Sequence, residues 1–385
     1  MPTTTAKNFL YRIALPFLAP SVPAGSVSEI KGHALSDQKS FTAVLRRNHI
    51  SGGAFFFQAG SAGTSVFSRA FHSDLVPDEG TFFRVASITK MATALLSVHL
   101  MDQGILDPDA PVSSLIPDGN LVPELNGILV RHLLSHTSGL SDPPGLEQML
   151  IMNKPYSAAV AGCRIGNPGE TFRYSNLGYG LMGCIFEYLL GKPVPEIYRD
   201  YLFGPLGMNA TLEGCSLNPG RIMPVVRILP YHRSAALQVT PLGRIQLTDP
   251  DPASHYGHTA GSMYTDLPSL VKLIVCIRDG GKPFLSPDYS GYMQRRISSY
   301  GSVSPTLSYG SGLLQILDSR ISSGIVFGHQ GFAYGCVDGA FWEDTTGNIM
   351  ISLNGGCSEA RTGRLGIANL DLCRFAFRKE LPSWK

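Results

Sequence analysis

The chain lacks several features that would mark it as one protein class or another. No C-x-x-C pair occurs among its seven cysteines, at positions 163, 184, 215, 276, 336, 357 and 373, which removes the common zinc-ribbon and dithiol motifs. Their odd number predicts free, buried thiols in a reducing compartment rather than a disulfide framework. Charge is sparse: 16% of residues are charged, and the formal net charge is +2. Such a balance gives no electrostatic reason to expect nucleic acid or an anionic membrane as partner. No apolar run reaches the ~20 residues that a membrane helix needs. Near the N-terminus, Arg12 and Pro16 interrupt the apolar residues 9–18, leaving no clean signal-peptide core, so the expectation is a cytoplasmic protein. His132 and His136 stand four apart without the glutamate of an H-E-x-x-H zinc helix, and no G-x-S-x-G elbow occurs. Neither a metal nor a cofactor is expected, and an α/β-hydrolase is disfavoured.

What is present starts at Ser87-Ile88-Thr89-Lys90. On a helix, residues i and i+3 share a face, so Lys90 can reach the Ser87 hydroxyl. An alcohol beside a base is the minimal apparatus of an activated serine. A second element, Tyr174-Ser175-Asn176, follows the turn-forming Gly166-Asn167-Pro168-Gly169 and precedes an apolar stretch that stops at Gly191, the pattern of a helix with a glycine cap. Tyr174 and Asn176 are two apart, so an extended entry segment turns both side chains the same way. Asn176 also reads as a helix N-cap. A third element, Gly328-His329-Gln330-Gly331, interrupts β-patterned sequence, with glycines that allow close approach.

In the order S-x-x-K, Y-x-N and [K/H]-x-G, these three elements resemble the serine β-lactamase and penicillin-binding superfamily. Phe83-Arg84-Val85-Ala86-Ser87, the stretch 104–112, Arg131-His132-Leu133-Leu134-Ser135-His136-Thr137-Ser138-Gly139-Leu140 and Phe203-Gly204-Pro205-Leu206-Gly207-Met208 are similar to its class C β-lactamase-related branch. That branch includes β-lactamase-like carboxylesterases, D-amino-acid-specific peptidases and acyltransferases. The resemblance runs from about residue 50 to about residue 357 and is poor over 213–258.

Pattern reading adds an architecture. Residues 41–49 suit a short helix, and 53–57 and 65–71 suit two strands. Residues 87–103 are apolar on nearly every side, the mark of a buried helix. Its N-terminus would hold the serine, where the helix dipole favours a developing anion. A helix is expected at 267–278, strands at 325–327, 334–342 and 348–353, and a terminal helix at 364–378. Strands at both ends of a helical middle predict an α/β (α+β) fold. Its mixed, mainly antiparallel sheet would be built from both chain ends (1–86 and 261–385), with an inserted helical domain (87–260). Residues 1–26 read as an arm. The Pro-rich segment 214–258, carrying Tyr231, His232 and Arg233, reads as a lid or substrate wall, and His255 and His258 as loop-packing residues.

The resemblance implies roles. Ser87 attacks a carbonyl, Lys90 hydrogen-bonds it, and Tyr174 shuttles the proton. Asn176 orients Lys90 and the substrate, and the backbone N–H groups of Ser87 and Phe332, the latter just after Gly331, form the oxyanion hole. A tyrosine with an ordinary pKa of ~10 needs cationic neighbours to act as a base, and Lys90 with protonated His329 would provide them. His329 stands where the commonest lactamase box has lysine. The reading is an esterase-type serine hydrolase or acyltransferase for a small-molecule ester, thioester, amide or lactam. The alternatives are a D-amino-acid amidase or peptidase, a β-lactamase, or a catalytically silent binding protein on the same fold. Oligomeric state is left open.

Overall fold

The computed structural model describes residues 24–33, 35, 37–228 and 235–377. Most of the expected N-terminal arm, and the Tyr231, His232 and Arg233 cluster, lie outside those residues.

Among the described residues the main sheet has nine strands: β1 (Ser26–Gly32), β2 (Gly53–Ala59), β3 (Ala62–Arg69), β4 (Ser298–Ser299), β5 (Leu307–Tyr309), β6 (Leu314–Ile316), β7 (Val326–Ala333), β8 (Cys336–Glu343) and β9 (Ile349–Asn354). Their spatial order is β1-β3-β2-β9-β8-β7-β6-β5-β4. Every neighbouring pair is antiparallel. The junction of early and late sequence is β2 against β9, with Phe56 opposite Ile351.

Strand alternation divides the apolar residues between two faces. Ala340, Trp342, Ile349, Ile351 and Leu353 join one buried cluster, while Phe341 and Met350 join another. The second face is covered by α1 (Gln38–Arg47) and the terminal helix α5 (Ile367–Phe377), whose Phe41 and Phe375 pack on each other and on Phe57. The first face takes α4 (Leu267–Arg278), capped by Asp266, whose carboxylate accepts from the Ser269 N–H. Beyond it lies the helical layer containing α2 (Thr89–Asp102) and α3 (Asn176–Leu190).

The pattern-based expectations hold for α4, α5 and the central helix, which is buried almost all round: of α2 only His99 and Asp102 escape burial. Two local readings differ, and one strand adds to them. The segment at 26–32, unassigned by pattern beyond residue 26, is a strand pairing with β3 across a bulge between Val27 and Glu29. Gly328 to Gly331 does not interrupt the sheet, because β7 runs straight through it, and the hairpin turn falls instead at Tyr334 and Gly335. Asn176 is not the N-cap of α3: Ser175 is, in extended backbone, its hydroxyl accepting from the Gly178 N–H at 2.9 Å.

Candidate active site

The serine precedes α2 in a single tight turn, Ala86–Ile88. Ala86 sits at φ +44°, an uncommon conformation for a residue with a Cβ and one retained where the surroundings over-determine it. Those surroundings include β7. A Cβ on Gly331 would lie 2.3 Å from the Val85 carbonyl oxygen, so only glycine lets the strand run this close to the nucleophile's turn.

Lys90, one turn into the helix, has no exposed surface. Its Nζ contacts Ser87 Oγ at 3.1 Å, Asn176 Oδ1 at 2.9 Å and the Ala260 carbonyl at 2.6 Å. Burial lowers its pKa to about 7, with the nearby Asp142 charge opposing. The donor inventory then decides what each protonation state does. As an ammonium, Lys90 donates to all of these oxygens. As a neutral amine it keeps two N–H bonds for Asn176 and Ala260, which can only accept, and its lone pair is left facing the Ser87 hydroxyl.

Asp142 organises the far side. It accepts from the Ser175 hydroxyl and Leu177 N–H through Oδ1, each at 2.9 Å, and from Asn176 Nδ2 at 2.8 Å through Oδ2. The Asn176 amide is thereby held with its oxygen toward Lys90. Sequence reading missed Asp142, which sits in a loop just past the Arg131–Leu140 signature without a motif of its own.

Tyr174 lies over the amine, with Lys90 Nζ 4.9 Å from the ring centroid. Burial raises its pKa, and a hydrogen bond with Ser87 works the other way. The His136 ring lies against it, tilted and 4.3 Å between centroids, and its Nδ1 accepts from the Ser175 N–H at 3.2 Å.

His329 departs from the expectation. It is 3% exposed, and burial drives its pKa down to about 3, with Lys90's charge adding to the effect. Its Nδ1 lies 2.7 Å from the Gln330 carbonyl, an acceptor, so that nitrogen carries the proton. Nε2, 3.1 Å from the Tyr309 hydroxyl, is then the acceptor. The imidazole is neutral and both nitrogens are occupied, so it is not the cation that the sequence reading asked of it.

Ser87, Tyr174, Asn176, Asp142, His329 and Phe332 line one cavity of about 810 Å³. Leu146, Leu150, Leu242 and Tyr256 form an apolar side, and Arg173, Arg361 and Arg364 bring cations to it. Thr240, Leu242, Tyr256 and Gly257 come from the segment expected to be a wall. The Tyr334 hydroxyl donates to Glu147 across the cavity. The other histidines are elsewhere: His255 Nδ1 is held by both Glu187 oxygens at 2.8 and 2.9 Å, and His258 is buried with its pKa lowered to about 4 by desolvation. His132 Nδ1 accepts from the Leu129 N–H. Among the described residues no group of three or more His, Cys, Asp or Glu is placed to hold a metal ion, and no helix is long and apolar enough to cross a membrane. All seven cysteines are free, and only Cys215 is exposed.

An antiparallel sheet packed on a helical layer, with an S-x-x-K helix entering at their junction, defines a serine β-lactamase-like architecture. The sequence agrees: the family description "Beta-lactamase" matches residues 62–335, and the chain belongs to that family, whose members are serine hydrolases or acyltransferases. Among curated relatives, the D-alanyl-D-alanine-carboxypeptidase/endopeptidase AmpH of Escherichia coli K12 is 31% identical over 144 residues, 35% of this chain and 37% of that protein. The match thus spans little more than a third of that relative's length. The ML-236A carboxylate methylbutanoyltransferase mlcH of Penicillium citrinum is 24% identical over 300 residues, 68% of each chain. Of solved structures, EstCE1, described as a hydrolase with promiscuous acyltransferase activity, superposes with a TM-score of 0.68 at 18% identity, covering 88% of this chain and 97% of its own. At that identity the likeness concerns the fold.

Proposed function

We propose that this protein is an esterase-type serine hydrolase or acyltransferase that handles small acyl substrates through an acyl-Ser87 intermediate. One observation carries the reading: Lys90 lies 3.1 Å from Ser87 Oγ, tied to two acceptor-only oxygens, with a pKa of about 7. An amine in that setting is available as a base at neutral pH, the condition for efficient proton transfer.

Ser87 Oγ attacks the carbonyl carbon as its proton passes to the Lys90 and Tyr174 pair, and the carbonyl π bond becomes the oxyanion. That oxygen is received by the backbone N–H groups of Ser87 and Phe332. Collapse expels the leaving group, which takes the proton from Tyr174. Water or an alcohol, amine or thiol then resolves the ester along the reverse route. Asn176 and Gly331 orient and make room. The reaction takes place at the seam between the sheet portion (1–86 and 261–385) and the helical portion (87–260), with the described part of 214–258 as one wall. Nothing in this chemistry calls for a cofactor, and the setting is taken as cytoplasmic.

Support for the esterase and acyltransferase end comes from the apolar residues of the cavity and from mlcH among the similar proteins. Intact-protein mass spectrometry after incubation with a fluorophosphonate and with p-nitrophenyl esters tests it. A single adduct, absent from Ser87→Ala, is expected. Its lifetime with and without added amines or alcohols separates hydrolysis from transfer, and a folded protein that forms no adduct overturns the nucleophile assignment.

A further inference from the structure

Tyr174 carries the most demanding part of the proposed chemistry, because a phenol must accept a proton near neutral pH. Burial and the Asp142 charge both push it away from that state. The groups facing it do not all help. Lys90 is cationic only below about pH 7, so its charge disappears as it becomes a base. His136 and His329 are both driven neutral by burial. Tyr179, Tyr300 and Tyr309, near enough for the Tyr174 charge to act on each, are held protonated by burial.

Arg84, Arg173, Arg361 and Arg364 also line the cavity, and of these Arg361 is the cation whose charge bears on Tyr174. Arg361, on the hairpin formed by Arg361–Thr362 and Leu365–Gly366, lines the same cavity as Ser87 and Tyr174. Its guanidinium stacks on the Phe332 ring, 3.9 Å from the centroid, which fixes it above the strand that passes the nucleophile. Among the described residues no carboxylate lies within ion-pair distance of it. Glu359 acts at longer range, and Arg364 opposes it. Its field reaches Tyr174 and favours the phenolate. A guanidinium stays charged across the whole working range of pH.

We propose that Arg361 is a positioning residue for the acid–base step: stacked on Phe332 beside the cavity, it supplies Tyr174 with the permanent positive field that neutral His329 does not. The inference rests on the acyl-enzyme reading and deepens it. It assigns the role of the third-box lysine to a side chain from a different strand pair. Tyr174 and Lys90 accept the serine proton as a pair, so losing the charge that favours the phenolate raises the pH at which the pair becomes ready to take it.

The test is the pH dependence of kcat/KM for Arg361→Gln and Arg361→Lys with two esters, neutral p-nitrophenyl butyrate and the p-nitrophenyl half-ester of succinate. Arg361→Gln is expected to move the acid limb up by about one pH unit and to slow acylation about 10-fold at neutral pH with both esters. Arg361→Lys, keeping the charge, is expected to restore most of the wild-type limb. Three results overturn the proposal. The limb does not move in Arg361→Gln; or Arg361→Lys fails equally, which assigns the residue to packing on Phe332; or the loss is confined to KM for the succinate ester, which makes Arg361 a contact for a substrate carboxylate. Should Arg361→Gln not fold, Arg361→Met keeps the stacked bulk and takes its place. Failure of the underlying reading looks different, because wild-type protein would then form no adduct at all.

Discussion

Lys90, buried beside Ser87, and His329, buried in the cavity lining, are both bases, and the protein treats them in opposite ways. Desolvation lowers both, yet Lys90 stops at about 7 and His329 falls to about 3. The difference lies in their partners. Lys90 faces two acceptor-only oxygens and a hydroxyl that can accept or donate, and it feels the Asp142 carboxylate, so both its cation and its neutral amine are satisfied. His329 meets a carbonyl on one side and a phenol on the other, which together satisfy the neutral tautomer and leave nothing for a second proton. Burial sets the direction of a shift, while the hydrogen-bond inventory decides whether the group can still change state at working pH.

The comparison breaks or sharpens in a definite order. Replacing Lys90 by Met removes the base and is expected to lower acylation by at least ~10³-fold with the fold retained, read as the rate of adduct formation. In wild type the acid limb of kcat/KM is expected near pH 7: activity rises as Lys90 loses its proton and its lone pair turns to Ser87. Asp142→Asn removes the charge that raises the Lys90 pKa, so the limb should move to lower pH. Loosening of Asn176 should also reduce the plateau about 10-fold. An upward movement would show that Asp142 acts through something other than charge. Tyr309→Phe leaves His329 Nε2 without its donor and is expected to lower stability by about 1–2 kcal/mol in urea unfolding. The smallest effect is expected from His329→Gln, whose amide still offers an acceptor to Tyr309. It should leave the acid limb in place, and a shift of a full pH unit would show that His329 titrates after all.

How much of this was legible in the sequence follows from how each part is encoded. Ser87, Lys90, Tyr174, Asn176 and His329 announce themselves because short-range spacing on a helix, an entry segment or a strand fixes their mutual geometry. The buried helix α2 and the helix at 267–278 were equally readable, since burial writes itself into periodicity. Asp142, Tyr309, Arg361 and the Ala260 carbonyl were not. Each reaches the site through tertiary folding from a loop, a short strand or a hairpin, and a backbone carbonyl has no sequence signature at all. The protonation of His329 was missed for a related reason: the residues that fix its tautomer are Gln330's backbone and a tyrosine from another strand. The strand at 26–32 was hidden because it is an edge strand with mostly exposed or half-exposed residues, so it carries little of the alternation that betrays a buried one.

The near-contact of β7 with the serine's turn limits what one position of that strand can hold. A Cβ on Gly331 would stand 3.4 Å from the Ala86 Cβ and far closer to the Val85 carbonyl, so the two segments are cut to each other's shape although most of the sequence separates them. A side chain at 331 displaces the nucleophile's turn or the strand. Position 331 is closed to every side chain for as long as the serine's turn keeps this path, because the obstacle is backbone and no replacement at Ala86 removes it.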